Sequence, residues 1–138
     1  MKINPRDLCQ VDLCVRDRRR SLQFYEDVFG WRAAPAEVHG MTFLDVPEDC
    51  PWGIALVDEP TLPAGGTGRT VLYFACDDPA LVHSRVAAAG GRPGPGPVRV
   101  PGYGKVWRFE DPDGLAFGVY QAESGEPVSR LRSDRPDD

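Results

Sequence analysis

Two stretches decide how this chain is read: Asp17 to Gly30 (DRRRSLQFYEDVFG) and Asp78 to Gly91 (DPALVHSRVAAAGG). Each opens on an Asp, whose carboxylate can accept from the unpaired N–H groups of a first helical turn. Each closes thirteen positions later on a Gly, the residue that most readily takes the left-handed backbone ending a helix. Within the first, Leu22, Tyr25, Val28 and Phe29 recur at helical spacing, and in the second Pro79 stands at the first helical position, where its missing N–H costs nothing. Two capped helices of equal span predict an internal duplication.

Working outward, each helix follows a strand. Leu8 to Val15 (LCQVDLCV) alternates, with Cys9, Val11, Leu13 and Val15 on one face and Leu8, Gln10, Asp12 and Cys14 on the other, and Thr70 to Cys76 (TVLYFAC) stands in the same place before the second helix. After the first helix come short β-like runs near 36–38, 41–46 and 53–57, separated by Pro and Gly. Lys105 to Phe109 and Leu115 to Gln121 form a last hairpin across the turn Asp111-Pro112-Asp113-Gly114. The expected fold is therefore α+β, two βαβββ modules in a curved mixed sheet around a cleft. They occupy about 7–58 and 70–122 of a single domain spanning 1–122. The Pro- and Gly-rich segment of about 59–69 reads as the connection between them, and the polar 123–138 as a frayed, flexible C-terminal tail.

Composition narrows the function classes. The chain has 138 residues, 41% hydrophobic and 27% charged, which suits one domain with a limited core. A formal charge of −5 without a basic stripe argues against nucleic acid, and Arg18, Arg19 and Arg20 read as a solvated helix start. Neither a secretory signal nor a membrane span is expected, so the reading places the protein in the cytoplasm with Cys9, Cys14, Cys50 and Cys76 as structural thiols. Cys9 and Cys14 are expected on opposite faces of their strand.

Val15-Arg16-Asp17, Ser21-Leu22-Gln23-Phe24-Tyr25, Val28-Phe29-Gly30-Trp31 and the late Asp-Pro-Asp-Gly turn, in that order, resemble the vicinal oxygen chelate superfamily. That superfamily includes glyoxalase I, extradiol dioxygenases, fosfomycin-modifying transferases and the bleomycin-resistance proteins. The likeness covers about residues 7–122. It implies paired βαβββ modules whose sheets curve around a cleft, commonly completed in a homodimer, and in the enzymes a metal held there by His and Glu from the first and last strands of each module.

This chain departs from that ligand pattern. Aligned on the two Asp caps, the first-strand His positions fall on Gln10 and Val71, and counted from the Asp-Pro-Asp-Gly turn the last-strand Glu falls on Gly118. Pro51 to Val57 (PWGIALV) has no His, Asp, Glu or Cys in any register. A metal of this type needs about three converging ligands, so no metal and no cofactor is expected. His39, in a turn-like segment, and His83, on the second helix, do not repair the set.

By strand parity the cleft face carries Gln10, Asp12 and Cys14, then Val71, Tyr73 and Ala75, then Ala116, Gly118 and Tyr120. Phe43, Trp52, Tyr103 and Trp107 are expected to flank the same cavity. Ligand-binding residues are therefore Gln10, Asp12, Phe43, Trp52, Tyr73, Tyr103, Trp107 and Gly118, with Gly118 leaving room where relatives carry Glu. No catalytic residue is assigned, because neither His stands where it could activate Cys14 or Ser21. The expected function is binding and sequestration of a small aromatic natural product or antibiotic, without a metal, as in the bleomycin-resistance branch. The alternatives are a metal-free isomerase or cyclase working through Asp12 and Gln10, or a metal-dependent lyase or dioxygenase.

Overall fold

The computed structural model describes residues 3–38, 40–59, 68–94 and 96–123. His39, most of the expected connection and the expected tail beyond Glu123 lie outside those residues. A short 3-10 turn at Pro5–Asp7 leads into β1 (Leu8–Val15), α1 (Arg18–Phe29), β2 (Ala33–Val38), β3 (Met41–Leu44) and β4 (Gly53–Asp58). The second half runs β5 (Arg69–Ala75), α2 (Pro79–Ala88), β6 (Arg92–Pro93), β7 (Val98–Val100), β8 (Gly104–Glu110) and β9 (Ala116–Ala122).

Both helices begin as their caps dictate. Asp17 accepts from the N–H groups of Arg19 and Arg20 and Gly30 closes α1 at φ +75, while Asp78 accepts from Leu81 and α2 ends at Ala88, with Gly90 at φ +91. Arg18 is not the solvated residue expected. Its Nε donates to Asp58 at 3.0 Å and its Nη1 to Thr42 at 2.9 Å, tying the start of α1 to β4 and β3.

The strands form one sheet in the order β2-β3-β4-β1-β5-β9-β8-β6, with β7 also on β8. β1 is parallel to β4 and β5 to β9, so each half has its first strand beside its last. β1 and β5 pair antiparallel and join the halves. The strand between α2 and β8 is broken in two around Gly94, Gly96 and Pro97, a segment too rich in Gly and Pro to show strand periodicity in the sequence.

The sheet must curl. Five strand steps separate β3 from β8, about 24 Å across a flat sheet, yet the ring of Phe43 stacks on that of Tyr103, just before β8, at 5.4 Å. The inner face of the curl holds one core cluster of Cys9, Cys14, Val71, Tyr73 and Tyr120, and on the outer face Phe109 and Val119 pack against Val82 of α2 to form a second.

A β-bulge changes one parity. The β1–β5 register slips between Leu8 and Gln10, which turns Cys9 to the same inner face as Cys14 instead of the opposite one, with its thiol 3.5 Å from the Tyr73 carbonyl. None of the four cysteines forms a disulfide.

Candidate ligand-binding site

Strand register brings one row of residues across the middle of the inner face: Gln10 opposite Tyr73, Tyr73 beside Gly118, and Gly118 opposite Arg108. Gly118 is what lets the row close. A Cβ there would collide with the Tyr73 ring and stand 2.9 Å from the Trp107 carbonyl oxygen, so the ring lies over the glycine and reaches across to β8. Arg108 Nε donates to the Tyr73 hydroxyl at 2.7 Å. The expectation that Gly118 leaves room for a ligand is thereby corrected, because Tyr73 fills that space.

Arg108 is the hub. Its Nη1 donates to Glu59 Oε1 at 3.0 Å, and its Nη2 stands 3.9 Å from Asp12 Oδ2 and 3.8 Å from Cys14 Sγ. Arg69 pairs with Glu59 as well, at 2.8 Å from Nε. The Glu59 carboxyl lies below the usual carboxylate range; burial alone would raise it, but the two guanidiniums outweigh that.

Asp12 is 4% exposed and takes a hydrogen bond from Gln10 Nε2 at 3.0 Å. Burial pushes its carboxyl up to about 6, against the opposing pull of Gln10, Arg108 and the Tyr73 hydroxyl. Burial, reinforced by the Glu59 charge, pushes the Cys14 thiol up to about 11, so it stays protonated and is a poor nucleophile.

The expected site residues divide. Gln10, Asp12, Tyr73 and Gly118 meet in the row, and Tyr103, packed against the inner core cluster, stacks on Phe43. Tyr73 is buried and acts as a packed bridge to Arg108. Trp52 is 38% exposed in the bend before β4. Trp107 packs into the outer cluster with Val82, Phe109 and Val119, because odd positions of β8 face α2; its expected place beside the cavity is corrected. His83 sits on α2 with its ring edge toward Phe109, on that same outer side.

Arg108, Glu59 and Arg69 were absent from the expected set. The hairpin turn fixes Glu110 opposite Ala116, so counting two further pairs places Arg108 opposite Gly118. Glu59 was masked by its Pro- and Gly-rich neighbours, although its N–H donates to Val15 at 2.7 Å and prolongs the β1–β4 pairing.

The residues do not fit a family-type metal. Val71 is fully buried within an apolar cluster, Gly118 lies under a tyrosine ring, and the Gln10 amide is committed to Asp12. A guanidinium already stands beside the one carboxylate of the row and would repel a second cation. Among the described residues no three His, Cys, Asp or Glu side chains gather where one ion could touch them all.

Paired βαβββ modules around one inner face define a protein of the vicinal oxygen chelate class. The chain belongs to the Glyoxalase/Bleomycin resistance protein/Dioxygenase superfamily, whose model matches residues 8–119. It is similar to the anthracycline biosynthesis proteins DnrV of Streptomyces peucetius, 33% identical over 128 residues, and DauV of Streptomyces sp. (strain C5), 32% identical over 128. Each match covers 80% of this chain and 45% of the relative, so the chain spans less than half the length of these curated relatives.

Among solved structures it resembles methylmalonyl-CoA epimerase from Mycobacterium tuberculosis, at TM-score 0.59 and 17% identity, over 91% of each chain. It also resembles the Mn(II)-bound glyoxalase from Novosphingobium aromaticivorans, at TM-score 0.60 and 27% identity, over 82% of this chain and 38% of that one. The epimerase likeness speaks for the fold alone.

Proposed function

We propose that this domain binds a small aromatic molecule of the natural-product or antibiotic class on its inner face, without a metal, and sequesters it without transforming it. The observation that carries this reading is the exchange of a metal-ligand row for a guanidinium-centred polar cluster beside the stacked rings of Phe43 and Tyr103. Aromatic faces supply affinity for a planar ligand, and a few convergent polar groups fix its orientation. The relatives' names, which concern anthracycline biosynthesis, agree with a fused-ring ligand.

The test is a thermal-shift screen against anthracyclines and other fused-ring aromatic antibiotics. A ligand at 100 times its dissociation constant stabilises the fold by about 2.7 kcal/mol. No shift across the panel overturns the reading.

One observation favours a second reading, a metal-free isomerase or cyclase. Asp12 is a buried carboxyl that titrates near neutrality beside a hydrogen-bonded Arg and Tyr, as a general acid or base requires. Mass and chromatographic analysis of the recovered ligand separates the two, since an altered product means turnover.

The working form in this reading is a cytoplasmic homodimer. Exposed aromatic side chains along α1 support a second copy as partner: Phe24 is 57% and Phe29 58% exposed, and no residue of α1 is fully buried. No helix among the described residues is long and apolar enough to cross a membrane.

A further inference from the structure

We propose that Arg108 is the fixed cation of this site, standing in for the metal of the superfamily's enzymes, and that the ligand it takes carries an acidic phenolic or enolic hydroxyl. The ligand oxygen binds Nη2 of Arg108 and its proton passes to Asp12. This rests on the binding reading above and narrows its ligand class.

The guanidinium is held closely on two sides and only loosely on the third. Nε is held by the Tyr73 hydroxyl at 2.7 Å and Nη1 by Glu59 at 3.0 Å. Among the described residues Nη2 makes a weak hydrogen bond to Cys14 Sγ at 3.8 Å and a long ion-pair contact to Asp12 Oδ2 at 3.9 Å. A charge-assisted N–H···O bond spans about 2.7–2.9 Å. Nη2, with two N–H groups and no oxygen acceptor within that distance among the described residues, retains donor capacity, and the Arg108 side chain as a whole is 25% exposed.

Charge balance selects an acidic hydroxyl over a permanent anion. Facing Arg108 are Asp12 and Cys14 from β1, Glu59 at the end of β4, and Arg69 and Tyr73 from β5. With both carboxylates ionised, the two guanidiniums are already matched, and an added anion would lie close to the charge of Asp12. A hydroxyl avoids this. Its O–H bond breaks, the proton goes to the Asp12 carboxylate, and the electron pair stays on the ligand oxygen to face the guanidinium. The net charge of the site does not change. Burial already pushes Asp12 toward the protonated form, and the Cys14 thiol keeps its own proton and does not compete for the cation.

The probe is 2-hydroxyanthraquinone, whose absorption moves to the red on ionisation, with 2-methoxyanthraquinone as the control lacking the acidic proton. Bound to the wild-type chain, the hydroxyl should ionise about one pH unit below its value in buffer, a tenfold bias, and the methoxy ring should bind at least about tenfold more weakly. Arg108→Gln should remove both differences, and Arg108→Lys should restore part of the ionisation shift. The wild-type titration needs no variant to fold. If the bound hydroxyl ionises at or above its value in buffer, or both rings bind equally, this proposal is overturned while the binding reading survives. If neither ring binds and the wider antibiotic panel gives no shift either, both fail.

Discussion

Gly118 shows how one missing side chain organises the inner face. Its neighbours are a tyrosine ring and a backbone carbonyl, so Gly118→Ala forces the ring off the strand and breaks its link to Arg108. Overpacking of this kind costs about 1–3 kcal/mol, to be read by urea denaturation together with loss of ligand-induced stabilisation. The two buried tyrosines should behave oppositely. Tyr73→Phe leaves the Arg108 Nε without its acceptor and should destabilise by about 1–2 kcal/mol. The buried Tyr120 hydroxyl has no hydrogen-bond partner among the described residues, so Tyr120→Phe should be neutral or stabilise by up to about 1 kcal/mol. Equal losses in both variants would contradict the roles assigned here.

Asp12 adds a pH dependence. Its carboxyl rises from 3.8 to about 6 on folding, so the native state binds the proton more tightly than the unfolded chain. That contribution to stability is complete below about pH 4 and is lost as pH rises through 6. Asp12→Asn lacks this loss. The variant should match wild type near pH 4 and exceed it at pH 7 by roughly 3 kcal/mol, measured as unfolding free energy across the pH series. A constant difference at all pH values would contradict it. At this scale strand alternation placed Gln10, Asp12 and Tyr73 together on the inner face. It did not mark Arg108 or Glu59 as members of the polar cluster there, because neither has a local pattern that sets it apart from the chain's other charged side chains.

Among the elements, α1 is held by its ends more than by its face. Asp17 caps two N–H groups, Arg18 reaches Asp58 and Thr42, and Gly30 turns the chain, while Phe24, Val28 and Phe29 remain exposed. Asp17→Ala should therefore lower stability by about 1 kcal/mol, visible in thermal unfolding with the sheet signal retained. The caps were legible because they act within one turn of the chain. The split strand β6–β7 was not, since its pairing to β8 is set by the opposite strand and not by its own Gly- and Pro-rich residues. The bulge that rotates Cys9 inward has the same origin: it is a mismatch between two strands, and neither strand announces it alone.

At the scale of the whole molecule, the two halves meet along β1 and β5, and the curl then brings distant strands together. Phe24→Asp combined with Phe29→Asp should leave the fold intact, because both side chains are already exposed, yet dissociate the proposed homodimer to monomer in sedimentation velocity. An unchanged sedimentation coefficient would remove α1 from the interface.

The sequence by itself determined the duplicated helices, the alternating central strands and the paired-module fold, since caps and strand parity are short-range properties. Only the tertiary structure decided which polar groups gather on the inner face. Arg108 and Glu59 come from strands four places apart in the sheet, and only the curling of that sheet around a glycine-seated tyrosine brings them together.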